Sequence, residues 1–197
     1  MTDWAMTGKP ALLILHMQRG IIGESKSSSK SAQAARESGI IPRQQALLKA
    51  FRDKKLPVIY VNVVKKPPVS GTFPTSGFLW QEMATEKPDP GGAEVIPEVA
   101  PRPGEPVLIN WPFGAFNNSG LEQALRVCGA QTLVPAGFAT NGVVLSVILG
   151  AADRYYPVVV PKDASASVSA EAHKVVMEII APASTLVTTT EDVIAHL

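Results

Sequence analysis

Residues 11–15 (ALLIL) form a short unbroken apolar run. A run of that length reads as a strand buried on both faces, as in a parallel sheet. Residues 42–54 place apolar side chains at Ala46, Leu47, Ala50 and Phe51, a helical spacing, with Pro42 suited to the first turn. Residues 56–64 predict a second strand, 105–110 a third, 131–136 a fourth, 157–160 a fifth and 184–188 a sixth. Helices are predicted over 121–127, 141–154 and 169–180. Asn118 or Ser119 suits the N-cap of the first of these, and Gly129 its stop. Between the first strand and the first long helix, residues 24–38 are polar and serine-rich and predict a mobile loop. Residues 65–92 are crowded with Pro, Gly and Thr and predict a long lid segment.

Strands and helices alternate from end to end. That order predicts one α/β domain over residues 1–197. Its expected architecture is a three-layer, Rossmann-like α/β/α sandwich around a mostly parallel sheet of about six strands. Ligands in such sheets bind beyond the carboxyl ends of the strands. The loops that begin after Leu15, Ile109 and Ala136 are therefore where chemistry is expected.

Composition narrows the picture. The chain has 197 residues, 46% hydrophobic and 18% charged, with a net charge of +1. A core of useful size needs no staples, and the low charge suits surface hidden in a homodimer or larger homo-oligomer. No basic stripe asks for nucleic acid or an anionic membrane. Cys128 is the one cysteine, so no internal disulfide can form. No leader pattern and no apolar stretch of membrane-spanning length is seen, so a cytoplasmic protein is expected.

Several fragments, in this order, resemble the isochorismatase-like (cysteine hydrolase) superfamily over nearly the whole chain. Residues 11–18 (ALLILHMQ) look like the family's opening strand, which usually ends in an Asp two places before a Gln. Residues 103–121 (PGEPVLINWPFGAFNNSGL) resemble the segment carrying the family's Lys. Residues 137–144 (GFATNGVV) resemble the nucleophile turn, Gly-x-x-Thr-x-x-Cys-Val. Asp163-Ala164 and His173 fall where the family usually has Asp-Ala and a helical His.

The resemblance implies a mechanism in which a Cys attacks a carbonyl, an Asp takes its proton and a Lys holds charge nearby. Carried over by position, those three are Val143, His16 and Trp111 in this chain. Valine cannot attack anything. Some isochorismatases proper also lack the Cys and hydrolyse a vinyl ether with the Asp as acid, but that Asp is replaced here too. The resemblance also implies a non-proline cis peptide before Ala139, and an oxyanion site made by the backbone N–H groups of Ala139 and Val143. Nicotinamidases of this superfamily hold a metal after the second strand. Residues 61–66 (VNVVKK) contain no histidine, so no metal and no cofactor is expected.

Each candidate has two readings. His16 is either an acid or base at a strand end or a residue accepted by drift. Trp111 either stacks on an unsaturated ligand or fills the void of a retired site. Phe116 is a candidate for the same aromatic wall, with Phe113, Phe73, Phe78 and Trp80 behind it. Thr140 and Asn141 either orient a ligand or cap the helix that follows. Cys128 reads as a small buried hydrophobe at the wrong end of its helix, His173 as structural, and His196 as solvated. Two functions follow. One is an enzyme that acts on a small apolar or aromatic carbonyl compound by acid–base hydrolysis, isomerisation, elimination or cyclisation. The other is a catalytically inactive relative that binds a small molecule or a protein partner. An amidase with Cys128 as a relocated nucleophile is a third.

Overall fold

The computed structural model describes residues 4–23, 29–64, 91–110, 113–117 and 119–197. Strand β1 (Pro10–Leu15) lies between β2 (Val58–Val63) and β4 (Thr132–Phe138). β3 (Val107–Asn110) pairs with β2, and the short β6 (Ser165–Ala166) pairs with the end of β4, every pair parallel. β5 (Val159–Pro161) and β7 (Leu186–Thr188) form a parallel pair of their own. A bridge between Leu133 and Val158 joins that pair to β4. The expected single six-stranded sheet is thus a five-stranded sheet continued by two further strands. β5 meets β4 only through that bridge and ends at Pro161. There the chain turns through Lys162–Ala164 and returns beside β4.

Period-two alternation divides the core between the two faces of the sheet. From β1, Leu12 and Ile14 pack with Leu47 and Phe51 of α3 (Ile40–Asp53) and with Val193 of α7 (Thr190–Ala195). Ala11, Leu13 and Leu15 pack on the other face. They meet Leu121 and Leu125 of α4 (Leu121–Cys128) and Val147 and Ile148 of α5 (Leu145–Ala152). Every residue of β1, β2 and β4 is buried. At about 1.5–3 kcal/mol for each large apolar side chain, this burial is the main force holding the three layers.

Three expectations need correction. Part of the predicted 24–38 loop is helix, since α2 spans Ser29–Glu37. Its polar composition hides a buried stripe, Ala32 and Ala35, that packs beside α3. The predicted helix over 169–180 is regular only as α6 (Ala170–Val175), which Ser169 caps by accepting from the Ala172 N–H. Beyond it lie a widened turn at Val176–Ile180 and a tight one at Ala181–Ala183 around Pro182. α4 is preceded by Gly120 in the left-handed region (φ 77°), while the Ser119 hydroxyl accepts from the Leu121 N–H. The predicted lid lies outside the described residues except for Gly91 and Gly92, where the Gly92 carbonyl accepts from Gly20 N–H of α1 (Arg19–Ile22).

Candidate active site

β1, β2 and β3 end side by side, and their carboxyl ends build the first half of the site. His16 leaves β1 in the left-handed region (φ 52°). Few residues other than glycine adopt that conformation, and His, Asn and Asp are enriched among those that do. Its N–H donates to the Val61 carbonyl at 2.8 Å, so the backbone stays tied to β2 while the ring is free to reach sideways. The ring crosses β2 to meet Asn110 at the end of β3, with His16 Nε2 2.9 Å from Asn110 Oδ1. His16 is 5% exposed and Asn110 is fully buried. Burial pushes the His16 pKa down to about 4, only partly opposed by the hydrogen bond to Asn110. The imidazole is therefore neutral at physiological pH. Against an amide oxygen, its Nε2 carries the hydrogen and its Nδ1 keeps a lone pair.

Gln18, two residues on, fixes the neighbouring strand end. Its amide accepts from the Val63 N–H at 2.8 Å and donates to the carbonyls of Val63 and Gly92, each at 2.9 Å. Three bonds from one buried side chain hold β2 and the start of the 91–96 segment against β1.

The second half of the site is the turn after β4. The Phe138–Ala139 peptide is cis. The Ala139 carbonyl accepts from the N–H groups of Gly142 (3.0 Å) and Val144 (3.4 Å). A widened turn, Thr140–Val144, leads into α5, and Gly142 breaks its helical path (φ −116°, ψ −106°). Thr140 and Asn141 do not cap the helix: Ala139 holds the N-cap position with no side-chain bond. The buried Thr140 hydroxyl instead pairs with His173 Nδ1 at 2.8 Å, and Asn141 Oδ1 accepts from the Ser167 hydroxyl at 2.7 Å. His173 is thus structural in a specific way, tying α6 to the turn. Burial lowers its pKa, with Glu178 opposing and Lys162 reinforcing that shift.

The other candidates are distributed around these two halves. The Val143 side chain is 1% exposed and packs in the α4–α5 layer of the core, among Leu15, Val61 and Ala115. Phe116 and Asn141 line an open groove of about 440 Å³ along α5, with Phe113, Leu145 and Leu149, and Arg154 stacks over the Phe116 ring at 4.6 Å. His16 does not line that groove. Trp111, Phe73, Phe78 and Trp80 lie outside the described residues. The Cys128 carbonyl accepts from Lys9, just before β1 begins, so the cysteine sits at the amino end of the sheet, opposite His16. His196 is not solvated as expected: it stacks on Trp4 with ring centroids 4.2 Å apart. Among the described residues no three His, Cys, Asp or Glu side chains come together as a metal site. Nor is any helix among them long and apolar enough to cross a membrane.

Asn110 is the site residue that sequence reasoning missed. It is the one polar position in the VLIN strand, immediately before Trp111, and that placement was the available signal.

The isochorismatase domain family matches residues 10–192 of the chain. Among curated proteins, the chain is 36% identical over 109 residues to the phenazine biosynthesis protein PhzD of Pseudomonas fluorescens, a match covering 55% of this chain and 52% of that protein. So the chain matches only about half the length of that relative. It is 28% identical to a probable isochorismatase of Pseudomonas chlororaphis, over 98% of this chain and 89% of that protein. Among solved structures it is similar to an isochorismatase family protein from Burkholderia thailandensis. That similarity has a TM-score of 0.78 and 28% identity over 98% of this chain and 97% of the other.

Proposed function

Given that the chain belongs to the isochorismatase family, we propose that it is an enzyme acting on a small apolar or aromatic carbonyl compound without a cysteine nucleophile. The observation that carries this reading is His16: a buried, neutral imidazole at the carboxyl end of β1, held by Asn110. Relatives described as a phenazine biosynthesis protein and a probable isochorismatase support small-molecule chemistry. Of the two roles open to His16, base is favoured over acid, because the ring that burial holds neutral has a free lone pair and no imidazolium proton to give at neutral pH.

In this mechanism His16 Nδ1 takes a proton from water attacking the carbonyl, or from the carbon beside it. The charge that develops on the carbonyl oxygen is held by the Ala139 and Val143 N–H groups. The imidazolium then returns the proton to the leaving group or to the product. Base-assisted hydrolysis and proton-transfer isomerisation, elimination or cyclisation share these steps. Trp111, next in sequence to Asn110, is the candidate for the apolar wall, and Phe116 lines the groove along α5 that His16 does not line. Thr140 and Asn141 set the turn, and the protein works as a homodimer or larger assembly.

The test is untargeted mass spectrometry of wild type and His16→Ala. Each is incubated with amides, lactones, enol ethers and aromatic ketones. Turnover by wild type, lowered about 10²–10⁴-fold in the folded variant, is expected. Full activity in His16→Ala would sink the mechanism. The rival reading, a ligand-binding protein without turnover, is favoured by Val143, a residue with no nucleophile, packed in the core. A compound that co-purifies and is never converted would establish that rival.

A further inference from the structure

Asn110 has an amide nitrogen that the interactions described so far leave unused. The side chain is fully buried, its Oδ1 faces His16 Nε2, and among the described residues its Nδ2 has no hydrogen-bond partner. A buried amide normally satisfies its donors, because leaving one unmet costs as much as desolvating it. A leucine would fill the position with no such cost. An asparagine at the end of β3 is therefore a poor choice for packing and a good one for a site that receives an oxygen atom.

We propose that Asn110 is the positioning residue of this site, with two tasks. Its carbonyl oxygen accepts from His16 Nε2–H, which fixes the ring as a single tautomer and presents Nδ1 as the lone-pair nitrogen. Its Nδ2–H groups are the donors held for an oxygen of the bound ligand, a carbonyl, enol or alcohol. The ligand class follows from charge: an amide and a neutral imidazole suit an uncharged oxygen group, whereas a carboxylate would call for a cation.

An amide suits this task better than a carboxylate. An aspartate facing Nε2 would also fix the tautomer, but its charge would hold the ring protonated to higher pH and remove the lone pair that a base needs. The neutral amide orients without charging. Among the described residues no ionised side chain adds to the shift at His16; burial and the Asn110 bond account for it.

The inference rests on His16 being the base of the proposed reaction, yet its test needs no substrate. Protein labelled with ¹⁵N-histidine gives imidazole nitrogen shifts that report tautomer and charge. The His16, His173 and His196 signals are assigned from single His→Gln variants. Wild type is expected to show His16 as the Nε2–H form, neutral down to near pH 4. Asn110→Asp should raise the His16 titration by at least about one pH unit. Asn110→Leu should mix the two tautomers; Asn110→Asp, of nearly the same size, carries the test if that variant does not fold. Added acetophenone, an aromatic ketone, should shift the Asn110 side-chain NH₂ resonances in wild type. An Nδ1–H tautomer in wild type, a His16 signal unmoved by Asn110→Asp, or an Asn110 amide untouched by the ketone would each overturn the proposal. A fixed tautomer and a responsive amide in a protein that converts nothing would sink the enzymatic reading alone.

Discussion

At the scale of single residues, His16 shows how burial changes chemistry. A histidine in water changes charge near pH 6.5; this one is held to about 4 by desolvation. That shift is a statement about stability. Between those two values the unfolded chain binds a proton that the folded protein refuses. The stabilisation from neutral His16 is therefore complete above pH 6.5 and is lost as pH falls toward 4. Linkage puts the loss at roughly 3 kcal/mol. Urea unfolding at about pH 7.5 and about pH 4.5 should show wild type losing more stability than His16→Gln by that order. Equal losses in the two proteins would mean that the ring is not buried in its neutral form. The sequence marked His16 as titratable, but its low pKa was not legible there, because the groups that bury it arrive from β2 and β3.

At the scale of elements, the end of β4 depends on one glycine. Gly137 lies beside Leu15 of β1 in the parallel register. A Cβ there would sit 2.2 Å from the Leu15 carbonyl oxygen and 2.8 Å from the Leu15 Cβ. Both are parts of a fully packed central strand and cannot swing away. Gly137→Ala should therefore cost at least about 2–3 kcal/mol. It should also disturb the following turn, seen as a lowered midpoint in chemical denaturation and altered signals from Thr140. Alanine at Gly39 (φ 71°), where a Cβ would meet nothing within 4 Å, reports the strain of the left-handed backbone without a clash. The turn itself was implied by the family resemblance of residues 137–144. Its fastening was not: Thr140 and Asn141 read more readily as helix caps, and only the folded chain brings His173 and Ser167 within reach.

At the scale of the whole molecule, the two ends of the described chain are fastened together. Trp4 Nε1 donates to Asp192 at 3.0 Å, and its ring stacks on His196. Asp192 also accepts from the Thr188 hydroxyl, and Thr189 caps the same helix. The contact joins residues 188 positions apart, so it restrains the segment before β1 against α7. Trp4→Ala should lower stability by about 1–3 kcal/mol, read as a drop in melting temperature, while leaving the His16 titration unchanged. A melting temperature equal to wild type would show that the clasp contributes nothing.

The sequence by itself determined the layers and the place of the site. Unbroken apolar runs alternating with helical periodicity admit little besides a parallel sheet covered on both faces, and such a sheet puts its ligands at the strand ends. It also determined which residue types stand there, because side-chain identity is local information. Only the tertiary structure decided which of them meet. His16 and Asn110 are 94 positions apart and touch because β2 lies between β1 and β3 with their ends level. The side chain of Val143, carried over at the nucleophile position, packs in the core. The helix over Ser29–Glu37 was hidden for the same reason: its helicity comes from packing two alanines against the neighbouring helices, and no local pattern of strong apolar residues announces it.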